Sequence, residues 1–309
     1  MSDSRSQVLP SPDNRAGDRS AAAVGMRDRL EYWGLRGLIA ALRCLSLDGA
    51  ARFGGAAWLL VAPYLSRHQR ADRHLASMLP DLSAEQRRKI LREMWHNLGQ
   101  TFVEALMLDR IAAEPERIEM DAGCQTILQR TMAEGGIIVC LHLGNWEASV
   151  LPLAAAGARH VAVYRRMRNV LLEDHMLSLR AAYYKGGLLA KGDAAARGLL
   201  RQARAGGSLG VMADLRDSSD YMVTFFGRPA PSTPLPAMLA RQFGRPIFAV
   251  GLVRTGPARF RMVAAEITVP RTDDRAVDIQ AATQAIQAMF ESWVRLWPGQ
   301  WMWAHRRYN

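Results

Sequence analysis

The sequence predicts an α/β fold behind a mainly helical N-terminal third, and two observations carry that expectation. From residue 135 short apolar runs alternate with helical segments, whereas upstream the apolar residues recur at helical spacing. The runs "GIIVCL" (136–141), "HVAVYR" (160–165), "SLGVMA" (208–213) and "IFAVGLV" (247–253) read as buried strands. Helical segments around 146–156, 170–184, 193–205 and 234–243 fall between them, so helices are expected on both faces of the sheet. The run "ARFRMVAAEITV" (258–269) adds an antiparallel strand, and 277–296 a closing helix. No internal repeat or long linker interrupts this order.

Residues 1–25 are polar and proline-containing and lack an apolar core, so they read as a disordered tail and not as a signal peptide. Residues 26–80 read as amphipathic, membrane-associating helices. Within 31–65, Leu35, Leu38, Ile39, Leu42 and Leu45 follow helical spacing, while Arg36 and Arg43 share another face. Trp33 and the apolar "FGGAAWLLVAPYL" suit a bilayer interface, although a helix packed on the core gives the same spacing. Arg36, Arg43, Asp48 and Arg52 interrupt the stretch, so no transmembrane helix is expected. Ser83 and Gln86 have capping-box spacing ahead of a long helix on which Ile90, Met94, Leu98 and Phe102 line up.

A formal charge of +11 and a pI near 10.3 imply a polyanionic partner: nucleic acid, an anionic membrane surface or a phosphorylated lipid. No helix-turn-helix, zinc-finger or RNA-binding signature accompanies the charge, so nucleic acid is not the expected partner. Nearly all the positive charge is arginine, with lysine only at 89, 185 and 191, and arginine's planar fork suits phosphate. An alanine-rich, high-GC composition also produces that skew. Cys44, Cys124 and Cys140 have neither disulfide nor metal spacing, which points to a reducing compartment and no metal site.

The chemistry concentrates in "HLGNWE" (142–147) at the end of the first strong strand. His142 and Glu147 cannot act together on one helix, because five positions rotate by about 140°. On one strand their odd separation puts them on opposite faces. A turn at Gly144 and Asn145, with Asn145 capping the next helix and Glu147 in its first turn, brings them together at the sheet edge. A carboxylate on one imidazole nitrogen then leaves the other free as a general base. No Ser, Cys or Thr stands at a nucleophile elbow, so the base is expected to activate a hydroxyl carried by the substrate.

"HLGNWE" resembles the His-x4-(Asp/Glu) motif of the bacterial lipid A biosynthesis acyltransferases, the late lauroyl and myristoyl transferases. Four further segments are similar: "VYRRMRN" (163–169), "TFFG" (224–227), "WPGQWMWAHRRY" (297–308) and the Asn97 to Glu104 helix. The resemblance runs from about residue 30 to the end. It implies a glycerolipid-acyltransferase-like mixed sheet flanked by helices, with residues 81–309 as the acyltransferase domain. It also implies a place on the cytoplasmic face of the inner membrane. The implied reaction moves an acyl chain from an acyl-carrier-protein thioester, or in relatives coenzyme A, to a hydroxyl of a lipid A precursor, with no further cofactor. By that resemblance His142 is the base and Glu147 its partner. Leu215 departs from the Asp-Gln pair that follows the third strand in many members, and the clear N-terminal transmembrane helix of many members is absent. Rival readings are the same chemistry on a phospholipid, glycolipid or ornithine-type lipid, and a thioesterase in which water replaces the alcohol.

Asn145, backbone amides near the helix start and Arg165 are the candidate donors to a tetrahedral oxyanion. Arg165 and Arg168 are assigned to phosphate or phosphopantetheine, with Arg306 ranked below them and one of Arg306 and Arg307 expected in a structural salt bridge. Asp214 reads as an acceptor buried under the site or as the start of a turn. His305 reads as a packing residue, and most C-terminal tryptophans as core anchors.

Overall fold

A computed structural model describes residues 24–217 and 221–308, so the expected N-terminal tail lies almost wholly outside the described residues. Five α-helices come first: α1 (Met26–Arg43), α2 (Leu47–Val61), α3 (Ser66–Met78), α4 (Ala84–Ala105) and α5 (Leu108–Ala112). The remainder alternates β1 (Ile118–Glu119), α6 (Ala122–Glu134), β2 (Gly136–Gly144), α7 (Leu151–Ala155), β3 (Val161–Tyr164), α8 (Val170–Ala181), β4 (Gly187–Ala190), α9 (Asp193–Arg204) and β5 (Ser208–Met212). It ends with β6 (Met222–Phe225), β7 (Arg228–Pro231), α10 (Leu235–Phe243), β8 (Ile247–Gly256), β9 (Arg259–Ile267) and α11 (Arg275–Leu296).

Seven strands form one mixed sheet in the order β1-β9-β8-β2-β5-β3-β4. The strands from β8 to β4 run parallel, while β9 is antiparallel to β8, as its alternating pattern predicts. β2 occupies the middle. Ile137, Val139, Leu141 and Leu143 enter one core with residues of α4, α9, α10 and α11, whereas Ile138 and Cys140 face the other, under α6, α7 and α8. A strand buried on both sides reads as a continuous apolar run, which is why its identity was plain in the sequence. Short β4, β1 and the β6-β7 hairpin carry no comparable run. The hairpin turns on Phe226 and Gly227, both at positive φ (50° and 67°), which explains the Phe-Phe-Gly element.

The N-terminal helices are fastened to this domain through α4. Ser83 and Gln86 close the expected capping box at its start. α2 crosses α4 where Gly54 meets Gly99; a β-carbon on either would run into the other helix. On α1, Leu42 is buried and Leu35 and Ile39 pack on the core, so the predicted apolar stripe mostly faces inward. Leu38 of that stripe stays exposed, and Met26, Leu30 and Trp33 are exposed on the helix face opposite the packing. Among the described residues no helix is long and apolar enough to cross a membrane.

Candidate active site

β2 ends in a turn that α4 builds from below. Gly144 adopts φ 56°, and a β-carbon there would collide with the carbonyl of Leu252. Its own carbonyl accepts from Asn97 Nδ2 (3.0 Å) and Thr101 Oγ1 (2.9 Å), two positions of the Asn97 to Glu104 motif. The motif's last residue, Glu104, is fully buried and binds Arg254 Nη2 (2.7 Å), Ala258 N (3.1 Å) and Asn145 Nδ2 (2.8 Å). Asn145 Oδ1 accepts from Ala148 N (3.1 Å) and so closes the turn, but Glu147 stands at the N-cap of the short 3-10 turn that follows and α7 begins only at Leu151, so Asn145 is not the helix cap the sequence suggested. Both polar groups of Asn145 are therefore committed inside the protein, which corrects its assignment as a substrate or oxyanion ligand.

His142 lies one turn of backbone before this and does not find Glu147. Its Nδ1 is 2.9 Å from Asp214 Oδ1, and its backbone N–H donates to Asp214 Oδ2 at 2.8 Å. The sheet explains the choice: Cys140 pairs with Met212 of β5, so two residues further on Asp214 stands beside His142. Glu147, carried past the turn, is held by α8, where Arg180 grips it through Nε (2.9 Å) and Nη2 (2.6 Å). The expected His142–Glu147 contact is thus replaced by two separate pairs, and Asp214 is the buried acceptor under the site, bonded to the imidazole and facing no open cavity.

Trp301 Nε1 gives Asp214 a third donor at 3.0 Å. Burial alone would raise this carboxyl, but the His142 ring and its N–H groups outweigh burial and hold it below the usual carboxylate range. An ionised Asp214 can only accept, so Nδ1 of His142 must carry the proton. In the neutral ring Nε2 is then the lone-pair nitrogen, and it has no hydrogen-bond partner among the described residues. Cys140, two positions earlier on the same face, is no rival nucleophile, because burial pushes its thiol up to about 12.

The imidazole opens on a cavity of about 1410 Å³, larger than the roughly 300–1,000 Å³ of common small-molecule sites. Apolar side chains, Ile127, Leu128, Ile138, Val150, Val250 and Met262 among them, form part of its walls. Its lining also carries many basic side chains, Arg67, Arg70, Arg165, Arg180, Lys191, Arg216 and Arg306, against the acidic Glu147 and Asp217. Of the predicted arginines, Arg165 and Arg306 are therefore on the cavity, while Arg168 is not a lining residue and ties to Glu31 of α1 at 3.2 Å. No metal-binding group of side chains occurs among the described residues.

The C-terminal motif wraps the site. Gln300 bonds the backbone of Arg254 through both ends of its amide, and Leu143 bridges to Trp301. Arg307 is fully buried on Pro231 O, Ser232 Oγ and Gln287 Oε1, so its structural role runs through neutral acceptors and not a salt bridge. His305 packs with its ring centroid 4.5 Å from that of His142. Burial, helped by the neighbouring His142, pushes it down to about 3, so it is neutral, and its Nε2 is buried without a partner. Sequence reasoning missed His305, Arg67 and Arg70 as site residues; the two arginines come from a helix more than seventy residues before His142, and only the fold brings them near.

The fold is thus a mixed α/β sheet that sets a carboxylate-paired imidazole on a large cavity lined by apolar and basic side chains. The model of the bacterial lipid A biosynthesis acyltransferase family matches residues 25–309, which is nearly the whole chain. The chain belongs to that family and is an acyltransferase. No curated protein matches it significantly.

Proposed function

We propose that the protein transfers a fatty acyl chain from an acyl-carrier-protein thioester to a hydroxyl of a lipid A precursor, by direct attack of the acceptor. The observation that carries this reading is the imidazole of His142, its Nδ1 braced by Asp214, on a cavity lined by apolar and basic side chains. Nε2 takes the proton of the acceptor hydroxyl while its oxygen attacks the thioester carbonyl. The resulting imidazolium is stabilised by Asp214. Collapse of the tetrahedral intermediate breaks the carbon–sulfur bond, and the departing thiolate recovers the proton from Nε2. In its Nε2–H tautomer, neutral His305 donates to the oxyanion at no cost in like-charge repulsion with the His142 imidazolium. Glu147 is a positioning residue that fixes Arg180 at the cavity wall.

Attachment to the cytoplasmic face of the inner membrane is part of the same proposal. Met26, Leu30 and Trp33 on α1, and Leu60 and Tyr64 after it, expose apolar side chains that suit the headgroup boundary. The test incubates the protein with radiolabelled acyl-carrier-protein thioester and lipid A precursor. Label in the lipid supports the reading, and label released only as free fatty acid overturns it in favour of a hydrolase.

A further inference from the structure

We propose that Arg67 and Arg70 of α3 join Arg306 as a binding site for a phosphate ester, set on the cavity lining with His142 and His305. This deepens the proposed acyl transfer and rests on it only for the source of the phosphate.

All three residues line the cavity that contains His142. Arg67, Arg70 and Arg73 are spaced three apart on α3, which puts successive guanidinium groups on adjoining positions of one side of the helix. Arg70 donates from Nη1 to the carbonyl of Ala304 at 3.2 Å, which ties the α3 side of the cluster to the segment carrying His305 and Arg306. The cluster is thus assembled from both ends of the chain and held before any ligand arrives.

Its charge is not neutralised internally. Most arginines near the core have carboxylate partners: Arg117 with Asp48 and Glu114, Arg180 with Glu147, Arg241 with Asp278 and Arg254 with Glu104. Among the described residues no ion pair involves Arg67, Arg70, Arg73 or Arg306. Asp72, between them in sequence, pairs instead with Arg87. Asp217 lines the same cavity and has contacts of its own. The mutual repulsion is felt locally: desolvation, and then Arg306, Arg67 and Arg73, push the Arg70 guanidinium down, and burial with nearby arginines does the same to His74 and His305. Like charges kept together without counter-charges cost stability, and a di- or monoanionic phosphate spanning several forks removes that cost on binding. Two sources share this chemistry: a phosphate on the lipid acceptor and the phosphodiester of the donor's pantetheine arm.

The binding test uses inorganic phosphate against the whole protein, at constant ionic strength set with chloride, read as the rise in thermal midpoint with phosphate concentration. The wild type is expected to respond, and Arg67→Gln and Arg306→Gln each to weaken apparent affinity about tenfold, the scale of one charged hydrogen bond. Arg70→Lys, which keeps charge but loses the fork and the Ala304 contact, is expected to fall between. No response in the wild type, or an unchanged response in Arg67→Gln, overturns the site. The source is read from KM in the transfer assay. If the acceptor supplies the phosphate, removing it erases the difference between wild type and Arg67→Gln; if the donor does, a truncated N-acetylcysteamine thioester erases it. A difference that survives both changes also overturns the site. Phosphate binding without acyl transfer would leave the site standing and sink the reaction; transfer with no phosphate response would do the reverse.

Discussion

Replacing Asp214 with asparagine isolates the pairing on which the proposed chemistry turns. Asp214 accepts three N–H groups: His142 Nδ1 at 2.9 Å, His142 N at 2.8 Å and Trp301 Nε1 at 3.0 Å. Asparagine preserves volume and one acceptor oxygen. That oxygen can keep the two donors on Oδ2, the backbone and the indole, so the amide nitrogen falls on the imidazole. An N–H facing Nδ1 forces His142 into the opposite tautomer, with Nε2 protonated and unable to take a proton from the acceptor. The stabilisation of the developing imidazolium goes with it. The expected loss is about 10³- to 10⁴-fold in kcat, or roughly 4–5.5 kcal/mol of barrier. KM for thioester and acceptor should stay within a few-fold, because Asp214 is 1% exposed and its oxygens are committed to His142 and Trp301. The assay is single-turnover transfer of labelled acyl chains, alongside thermal unfolding to establish that the variant folds. A folded Asp214→Asn protein with kcat within tenfold of wild type would refute the pairing as a catalytic device.

Other perturbations read other parts of the structure. Glu104→Gln leaves the 8%-exposed Arg254 side chain without its carboxylate, and should cost about 3–5 kcal/mol, or about 10 °C in thermal midpoint, as followed by circular dichroism. His305 and His160 have folded values lowered to about 3 and about 4, chiefly by burial. Unfolded chains therefore bind more protons below pH 6.5, so stability is full above that pH and falls as the pH drops toward the folded values. The slope in urea titrations between pH 6 and 5 should include about 1.2 kcal/mol per pH unit from each histidine. His305→Gln should remove one such share and, by weakening the oxyanion donor, lower kcat about 10²-fold. Trp33→Glu should weaken partition onto anionic vesicles about 10- to 100-fold in sedimentation, the worth of one large apolar side chain, without lowering thermal stability.

The sheet was legible because β2, β5 and β8 are buried on both faces and cannot be written without long apolar runs. β1 and β4, two and four residues at the sheet edges, need no such run and left no signal. The candidate base His142 was legible from its place at a strand end, but its partner was not: local spacing pointed to Glu147, whereas the pairing depends on which strand lies next to β2. Strand order is a long-range property, and β5 reaches its place only after two intervening strands. "ADLRD" after β5 held the clue, since an acid just past a buried strand that runs beside β2 falls level with His142. Asn145 misled in the opposite way. A polar residue next to the base looked available to substrate, yet the buried Glu104–Arg254 pair beneath it consumes its amide.

The proposed reaction requires that His142 activate the acceptor hydroxyl for direct attack on the thioester. Wild-type protein mixed with radiolabelled acyl-carrier-protein thioester and quenched in acid on the millisecond scale should move label straight into the lipid acceptor, with none on the washed protein, and His142→Ala should move none. Label that accumulates covalently on the protein before reaching lipid, or transfer by His142→Ala at the wild-type rate, would contradict it.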